Sequence, residues 1–153
     1  GERIYRELLA ANPKDTVALN NLANLLALKR TKPDEAISLV QQAIAIVGES
    51  PMLLDTRAAC HLAAGNLTLA RKDLEAAVAA YPHPLLRFHL AQAMFEAREF
   101  ALAKQEFGRA LQSGLRKKML HVLEQPVFDQ LVREFQVEPT EPAKSAPAKG
   151  TDS

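Results

Sequence analysis

The residues best suited to chemistry are four histidines and one cysteine, namely Cys60, His61, His83, His89 and His121. None of the histidines stands three or four residues from another ligand type in a pattern that suggests a metal site. Cys60 and His61 are adjacent, so on a helix they would point about 100° apart and could not act as a dyad. Because free cysteine is usually buried, we interpret Cys60 as inert core and His61 as a packed, hydrogen-bonded side chain.

Other catalytic patterns are also missing from the sequence. The six glycines are scattered at turns, so they form no glycine-rich phosphate loop. The carboxylates fall on predicted solvent faces, and no pair of them is placed in a cleft. The sequence therefore predicts a chain that is not an enzyme, with no catalytic residues, no metal and no cofactor.

The charge and the apolar content of the sequence restrict the kinds of partner that the chain is expected to bind. The 153 residues carry a formal net charge of +1, whereas nucleic-acid binders usually have a strong basic excess. The basic run Arg116-Lys117-Lys118 is too short to change this and is interpreted as a solvated loop. No apolar run approaches the ~20 residues that span a bilayer, so we expect neither nucleic-acid binding nor direct membrane insertion.

The compartment stays open on the same observations. A single cysteine excludes an internal disulfide, and the first residues do not resemble a signal peptide. Cytoplasmic and periplasmic locations are both compatible with the sequence.

Alanines recur at a fixed period and reveal internal repeats. Within each series the spacing is about 33 to 35 residues, and larger apolar residues keep the same register. The alanine series are Ala23/Ala58/Ala91, Ala36/Ala70/Ala103 and Ala43/Ala77/Ala110, and the apolar series are Val40/Leu74/Phe107 and Ile44/Val78/Leu111. Alanine lets two antiparallel helices approach closely without the helix penalty of glycine, and the bulky residues fill the gaps between hairpins.

A period near 34 residues built from two short helices resembles the tetratricopeptide repeat (TPR) family. The resemblance covers about residues 4–111. It implies an all-α, right-handed α-solenoid of about three full helical hairpins followed by a C-terminal capping helix. Each hairpin cannot bury its apolar face alone, so stability would come from stacking.

The repeats divide the chain into predicted segments. Residues 1–13 would be the second helix of a truncated preceding repeat, which favours a fragment of a longer array. Repeat units would occupy 14–48, 49–82 and 83–114, with Thr16 capping the first complete helix. Residues 115–137 would form the capping segment, in which Phe128, Leu131, Val132 and Phe135 share one face, and the proline-rich segment 138–153 should be disordered.

Arg57 departs from the repeat, because the other units have Leu22 and Leu90 at its position. A largely buried arginine is unusual. We therefore expect Arg57 either to pair with a carboxylate or to mark a functional kink.

The TPR resemblance also implies a binding surface, because the first helix of each hairpin lines a concave groove. The matching positions of this sequence that we select are Asn20, Asn21, Asn24, Asp55, Thr56, Phe88, His89 and Gln92. Amide side chains donate and accept, so the asparagines could hold a peptide backbone, and Phe88 could supply an apolar anchor. The groove positions carry no lysine or arginine, which argues against a clamp for a terminal carboxylate; solvated asparagines with no role are the competing interpretation.

The resemblance implies a protein–protein interaction module that binds a partner protein or peptide in the groove. Two alternatives remain open at this point. The chain could be a spacer or self-assembly segment of a longer solenoid, associating through the N-terminal face around Ile4, Tyr5 and Leu8. It could also be an accessory domain of a larger envelope, export or signalling enzyme, since its alanine-rich style is typical of bacterial arrays.

Overall fold

The computed structural model describes residues 1–139, and these contain α-helices joined by short turns. The eight α-helices of this part are α1 (Glu2–Ala11), α2 (Thr16–Leu28), α3 (Pro33–Val47), α4 (Pro51–Ala63), α5 (Leu67–Ala80), α6 (Pro84–Glu96), α7 (Phe100–Gln112) and α8 (Gln125–Phe135). A short 3₁₀ helix, Lys117–Met119, precedes α8. Most of the proposed tail 138–153 lies outside the described residues.

The helices pair along the chain as hairpins, α2 with α3, α4 with α5 and α6 with α7. Successive hairpins stack because α4 packs on both α2 and α3, and α6 packs on both α4 and α5. The first helix, α1, packs against α2 as α3 packs against α4. The all-α solenoid predicted from the repeat is therefore correct, while the exact division into units 14–48, 49–82 and 83–114 stays a prediction.

Capping side chains decide where several helices begin. Asp15 accepts hydrogen bonds from the backbone nitrogens of Val17 and Ala18 at 3.1 and 3.0 Å, and it caps α2. The prediction that Thr16 is the cap is wrong, because Thr16 is already the first helical residue. Ser50 caps α4 in the same way, and Pro51 follows it at the first helical position, where its missing N–H leaves no hydrogen bond unmade.

The small and large repeat positions form the core as predicted. All nine alanines of the three series are fully buried, as are Val40, Leu74 and Phe107. The buried residues separate into two main clusters, one centred on α2, α3 and part of α4, the other running from α4 to α8. The core thus follows the solenoid and does not collect in one centre.

The capping helix is present and closes the second cluster. Phe128, Leu131 and Phe135 of α8 are buried, while Val132 is only partly buried. The Phe128 ring lies 6.2 Å from that of Phe88 and 5.6 Å from that of Phe107. Thus α8 covers the apolar face of the last hairpin.

Arg57 forms an ion pair with a carboxylate, which is the first of the two alternatives predicted for it. Its guanidinium donates two hydrogen bonds of 2.8 Å to the buried carboxylate of Asp73 on α5. The next hairpin repeats the device, since Arg87 donates to the buried carboxylate of Glu106 at 2.9 Å. Asp73 and Glu106 hold equivalent repeat positions, so each arginine satisfies a carboxylate enclosed within its own hairpin.

Candidate functional site

Residues of α2, α4, α6 and α8 face one common space, together with the turns after α2 and before α8 and Leu74 of α5. A cavity of about 90 Å³, here called the groove cavity, lies between these four helices. It is lined by Asn24, Ala27, Leu28, Arg30, Asp55, Ala59, Leu62, Ala63, Leu74, His89, Gln92, Leu123, Glu124 and Val127. A space of this size holds a few water molecules and is too small for a peptide.

The structure brings together four of the predicted groove residues at this cavity. Asn24, Asp55, His89 and Gln92 come from three different helices and all line it. Asn20 and Asn21 lie on the same helix as Asn24 and are partly exposed. The side-chain oxygen of Asn20 is buried and has no hydrogen-bond partner among the described residues, so one acceptor remains unused.

Two of the predicted groove residues are not accessible. Phe88 is completely buried, with its ring 6.2 Å from Phe107 and 6.2 Å from Phe128. The prediction that it forms an exposed anchor is wrong because α8 covers it. Thr56 is also buried, so its assignment to the groove surface is wrong as well.

His89 sits between two carboxylates from separate parts of the chain. Its Nδ1 lies 2.7 Å from an oxygen of Asp55 on α4, and its Nε2 lies 2.5 Å from an oxygen of Glu124, the residue before α8. The other oxygen of Glu124 accepts a hydrogen bond of 3.1 Å from the backbone nitrogen of His121. A hydrogen-bonded chain therefore joins α4, α6 and the capping segment across the groove cavity.

This arrangement makes His89 a fixed cation at neutral pH. Burial opposes its charge, but the charges and hydrogen bonds of Asp55 and Glu124 outweigh burial and raise the pKa of His89 to about 10. Burial likewise opposes the charge of Glu124, yet the hydrogen bond and charge of His89 lower the pKa of that carboxyl group. Both groups are accordingly charged, and the site contains one imidazolium and two carboxylates.

Arg30 forms a second bridge over the groove cavity. It comes from the turn after α2, forms an ion pair with Glu96 at the end of α6, and lies 3.5 Å from the carbonyl oxygen of Leu62 on α4. Sequence reasoning missed both Arg30 and Glu124. Each lies outside the first helix of a repeat, and the stacking of the hairpins brings both to the groove cavity.

The remaining chemistry-bearing residues are core residues. Cys60 is fully buried, and burial raises the pKa of its thiol to about 12, so it stays protonated at neutral pH. His61 is buried as predicted, but its Nε2 lies 3.8 Å from a carboxylate oxygen of Asp73. This distance is too long for the expected hydrogen bond. Burial lowers the pKa of His61.

Within residues 1–139, no group of three or more His, Cys, Asp or Glu side chains is placed to hold a metal ion. No helix in this part of the chain has the length and apolarity needed to cross a bilayer.

Comparison with known proteins agrees with the repeat and the fold. Residues 60–116 match the tetratricopeptide repeat family TPR_16. The crystal structure of the Sgt2 TPR domain from Aspergillus fumigatus aligns with a TM-score of 0.62 and 20% identity, covering 88% of this chain and 92% of that one. The crystal structure of MamA aligns with a TM-score of 0.55 and 18% identity, covering 88% of this chain and 82% of that one.

No curated protein matches the chain. At 18% and 20% identity the two solved structures speak for the fold alone. Residues 60–116 thus match the tetratricopeptide repeat family, and the described residues fold as a solenoid of helical hairpins similar to that of the two solved TPR structures.

Proposed function

We propose that this chain is a non-catalytic interaction module that binds a partner protein or peptide along its concave face. The observation that carries the proposal is a set of amide side chains, here called the amide row: Asn24 on α2 and Gln92 on α6 line the groove cavity, and Asn20 and Asn21 precede Asn24 on α2. Amides both donate and accept hydrogen bonds, and a peptide backbone offers both kinds of partner.

The site residues that we propose are Asn20, Asn21, Asn24, Asp55, His89 and Gln92. Thr56 and Phe88 are removed from the set because their side chains are enclosed. Since the groove cavity itself is small, the partner would lie along the amide row, outside the cavity. Only single side chains of the partner would enter the cavity.

A crosslinking pull-down from the lysate of the source cell tests this proposal. The bait is the native chain, compared with the triple variant Asn20→Ala/Asn24→Ala/Gln92→Ala. A matched control, Ser38→Ala/Gln41→Ala/Gln42→Ala, removes as many exposed polar groups from α3, which is the second helix of its hairpin. We expect a partner captured by the native chain and by the control but lost with the groove variant.

A self-assembly or spacer role is the second candidate, and a specific observation favours it. Ile4 and Leu8 of α1 remain 58% and 45% exposed, and they lie on one face of the helix. If the groove variant captures the same proteins as the native chain, while Ile4→Glu/Leu8→Glu loses them, the spacer role replaces the groove. The larger-enzyme alternative stays a prediction, tested by the domains that accompany this segment in its natural chain.

A further inference from the structure

The capping segment does more than cover the last hairpin. Its turn His121–Glu124, here called the cap turn, places the Glu124 carboxylate against His89 at 2.5 Å. The Glu124 side chain is only 13% exposed, so this contact is enclosed by the walls of the groove cavity. A side chain from outside the repeats thus occupies the place on the concave face where a bound partner would reach.

The cap turn and α8 are held in different ways. The α8 helix is anchored by Phe128, Leu131 and Phe135, which are buried in the core. The cap turn exposes its apolar residues instead, with Val122 at 69% and Leu123 at 43%. The Glu124 side chain could therefore rotate out of the groove cavity without unpacking α8.

The surroundings of Glu124 favour an anion. His89 presents its Nε2–H to the carboxylate, while the Arg30 guanidinium and the amides of Asn24 and Gln92 line the same cavity. Asp55 is already engaged by the other nitrogen of His89, and Glu96 by Arg30. With Glu124 removed, the positive charges of His89 and Arg30 balance the negative charges of Asp55 and Glu96. An incoming carboxylate then restores the negative charge that Glu124 supplied. An incoming cation would instead meet the unpaired N–H of His89.

We propose that Glu124 and the neighbouring Leu123 act as a built-in ligand of the groove, and that the partner recognised there presents a carboxylate next to an aliphatic side chain. This inference rests on the proposed function and adds the chemistry of the partner to it. Binding exchanges one carboxylate–His89 contact for another. The chain's own Glu124 therefore competes with the partner.

A peptide copied from the cap turn tests the exchange without knowledge of the natural partner. The probe is the blocked, fluorescently labelled peptide His-Val-Leu-Glu-Gln-Pro-Val, the sequence of residues 121–127. It is titrated by fluorescence anisotropy against the full native chain and against Glu124→Ala. We expect the variant to bind the peptide at least tenfold more tightly than the native chain, because its site is vacated.

Two further arms assign the contact. A probe with glutamine in place of its glutamate should lose about tenfold in affinity for Glu124→Ala, because the charge that His89 recognises is gone. The variant Glu124→Ala/His89→Gln should bind both probes equally weakly. As a matched control, Glu134→Ala removes an exposed acid from α8, the helix that follows the cap turn, and should behave as the native chain.

Several outcomes would overturn the inference. These are equal binding of the native chain and Glu124→Ala, equal affinity for the glutamate and glutamine probes, or no binding to Glu124→Ala at millimolar peptide. Circular dichroism melts establish that each variant is folded, and Glu124→Ser, which also vacates the site and places a favoured residue at the N-cap of α8, replaces Glu124→Ala if the latter is not. Peptide binding as expected together with an unchanged pull-down would reject the proposed function and keep the anion site, so the two failures are distinguishable.

Discussion

His89 is the residue whose environment differs most from that of a solvated side chain of its type. Both ring nitrogens face carboxylates, and Asp55 and Glu124 raise its pKa to about 10. A histidine with a raised pKa binds its proton more tightly in the folded than in the unfolded chain. Its stabilising contribution is therefore complete below the ordinary histidine pKa and is lost as pH rises through the folded value.

We therefore expect the free energy of unfolding to fall between about pH 6.5 and pH 10, by about 1.5–3 kcal/mol more in the native chain than in His89→Gln, the usual contribution of a hydrogen bond to a charged group. Urea denaturation at a series of pH values measures this difference. Cys60, whose pKa burial raises to about 12, adds an alkaline slope of its own, but it does so equally in both chains. Parallel curves for the two chains would show that His89 is not the group responsible.

The Arg57–Asp73 pair has an apolar counterpart in the first hairpin. Leu22 holds the repeat position of Arg57, Leu39 holds that of Asp73, and both leucines are buried. The fold thus accepts either an ion pair or two apolar side chains at these positions. This agrees with the general finding that a buried ion pair is replaceable by packed apolar residues but does not tolerate loss of one partner.

The variant Asp73→Leu should accordingly destabilise the chain by about 3 kcal/mol, because the half-buried Arg57 loses its buried carboxylate and keeps only the exposed Glu49 at 3.6 Å. The double variant Arg57→Leu/Asp73→Leu should return to within about 1 kcal/mol of the native chain. Chemical denaturation of the two variants measures both values. Glu75→Ala, which removes an exposed partner of Arg71, is the control and should change stability by about 0.5 kcal/mol or less.

Among the elements, α8 decides which surfaces the repeats expose. Its Phe128 packs against Phe88 of α6 and Phe107 of α7, which are otherwise the outer face of the last hairpin. Shortening this side chain should expose that face, since Phe128 is the α8 residue whose ring packs against both Phe88 and Phe107. The cap would then loosen while the earlier hairpins keep their packing.

We expect Phe128→Ala to destabilise the capping region by about 3–5 kcal/mol, the usual range for a buried phenylalanine. Hydrogen exchange should show lost protection in α8 and in the parts of α6 and α7 beneath it, with little change in α2 and α3. Arg133→Ala, an exposed position on the same helix, should leave exchange unchanged. Full protection of α8 in Phe128→Ala would show that another contact holds the cap.

The repeat period in the sequence was enough to predict the helices, but not which side chains meet where the hairpins stack. Alanine spacing predicted the hairpins and the buried positions, because close helix packing depends on side-chain size at fixed intervals. Phe88 was misplaced because its exposure depends on α8, an element outside the repeats. Glu124 and Arg30 were missed for a related reason, since each comes from a turn and lines the groove cavity only when the helices are stacked.

At the scale of the whole molecule, the core of the described residues has two main clusters that meet in α4 and a small third one of Leu54, Ala77 and Leu86. Cys60 belongs to the cluster with α2 and α3, whereas Ala58 and Leu62 belong to the cluster that runs to α8. In a solenoid each hairpin contacts only its neighbours, so a local defect should weaken nearby helices most. The Arg30–Glu96 ion pair should couple the two parts of the solenoid, because it links the turn after α2 directly to the end of α6.

The two halves should therefore respond differently to matched core defects. Phe107→Ala should lower hydrogen-exchange protection most in α6, α7 and α8, and Val40→Ala most in α2 and α3, because each residue is fully buried in only one cluster. Adding Glu96→Gln, which removes the charge that pairs with Arg30, should sharpen the contrast between the halves. If both defects instead lower protection evenly along the chain, the bridges over the groove, and not neighbour contacts alone, make the solenoid one cooperative unit.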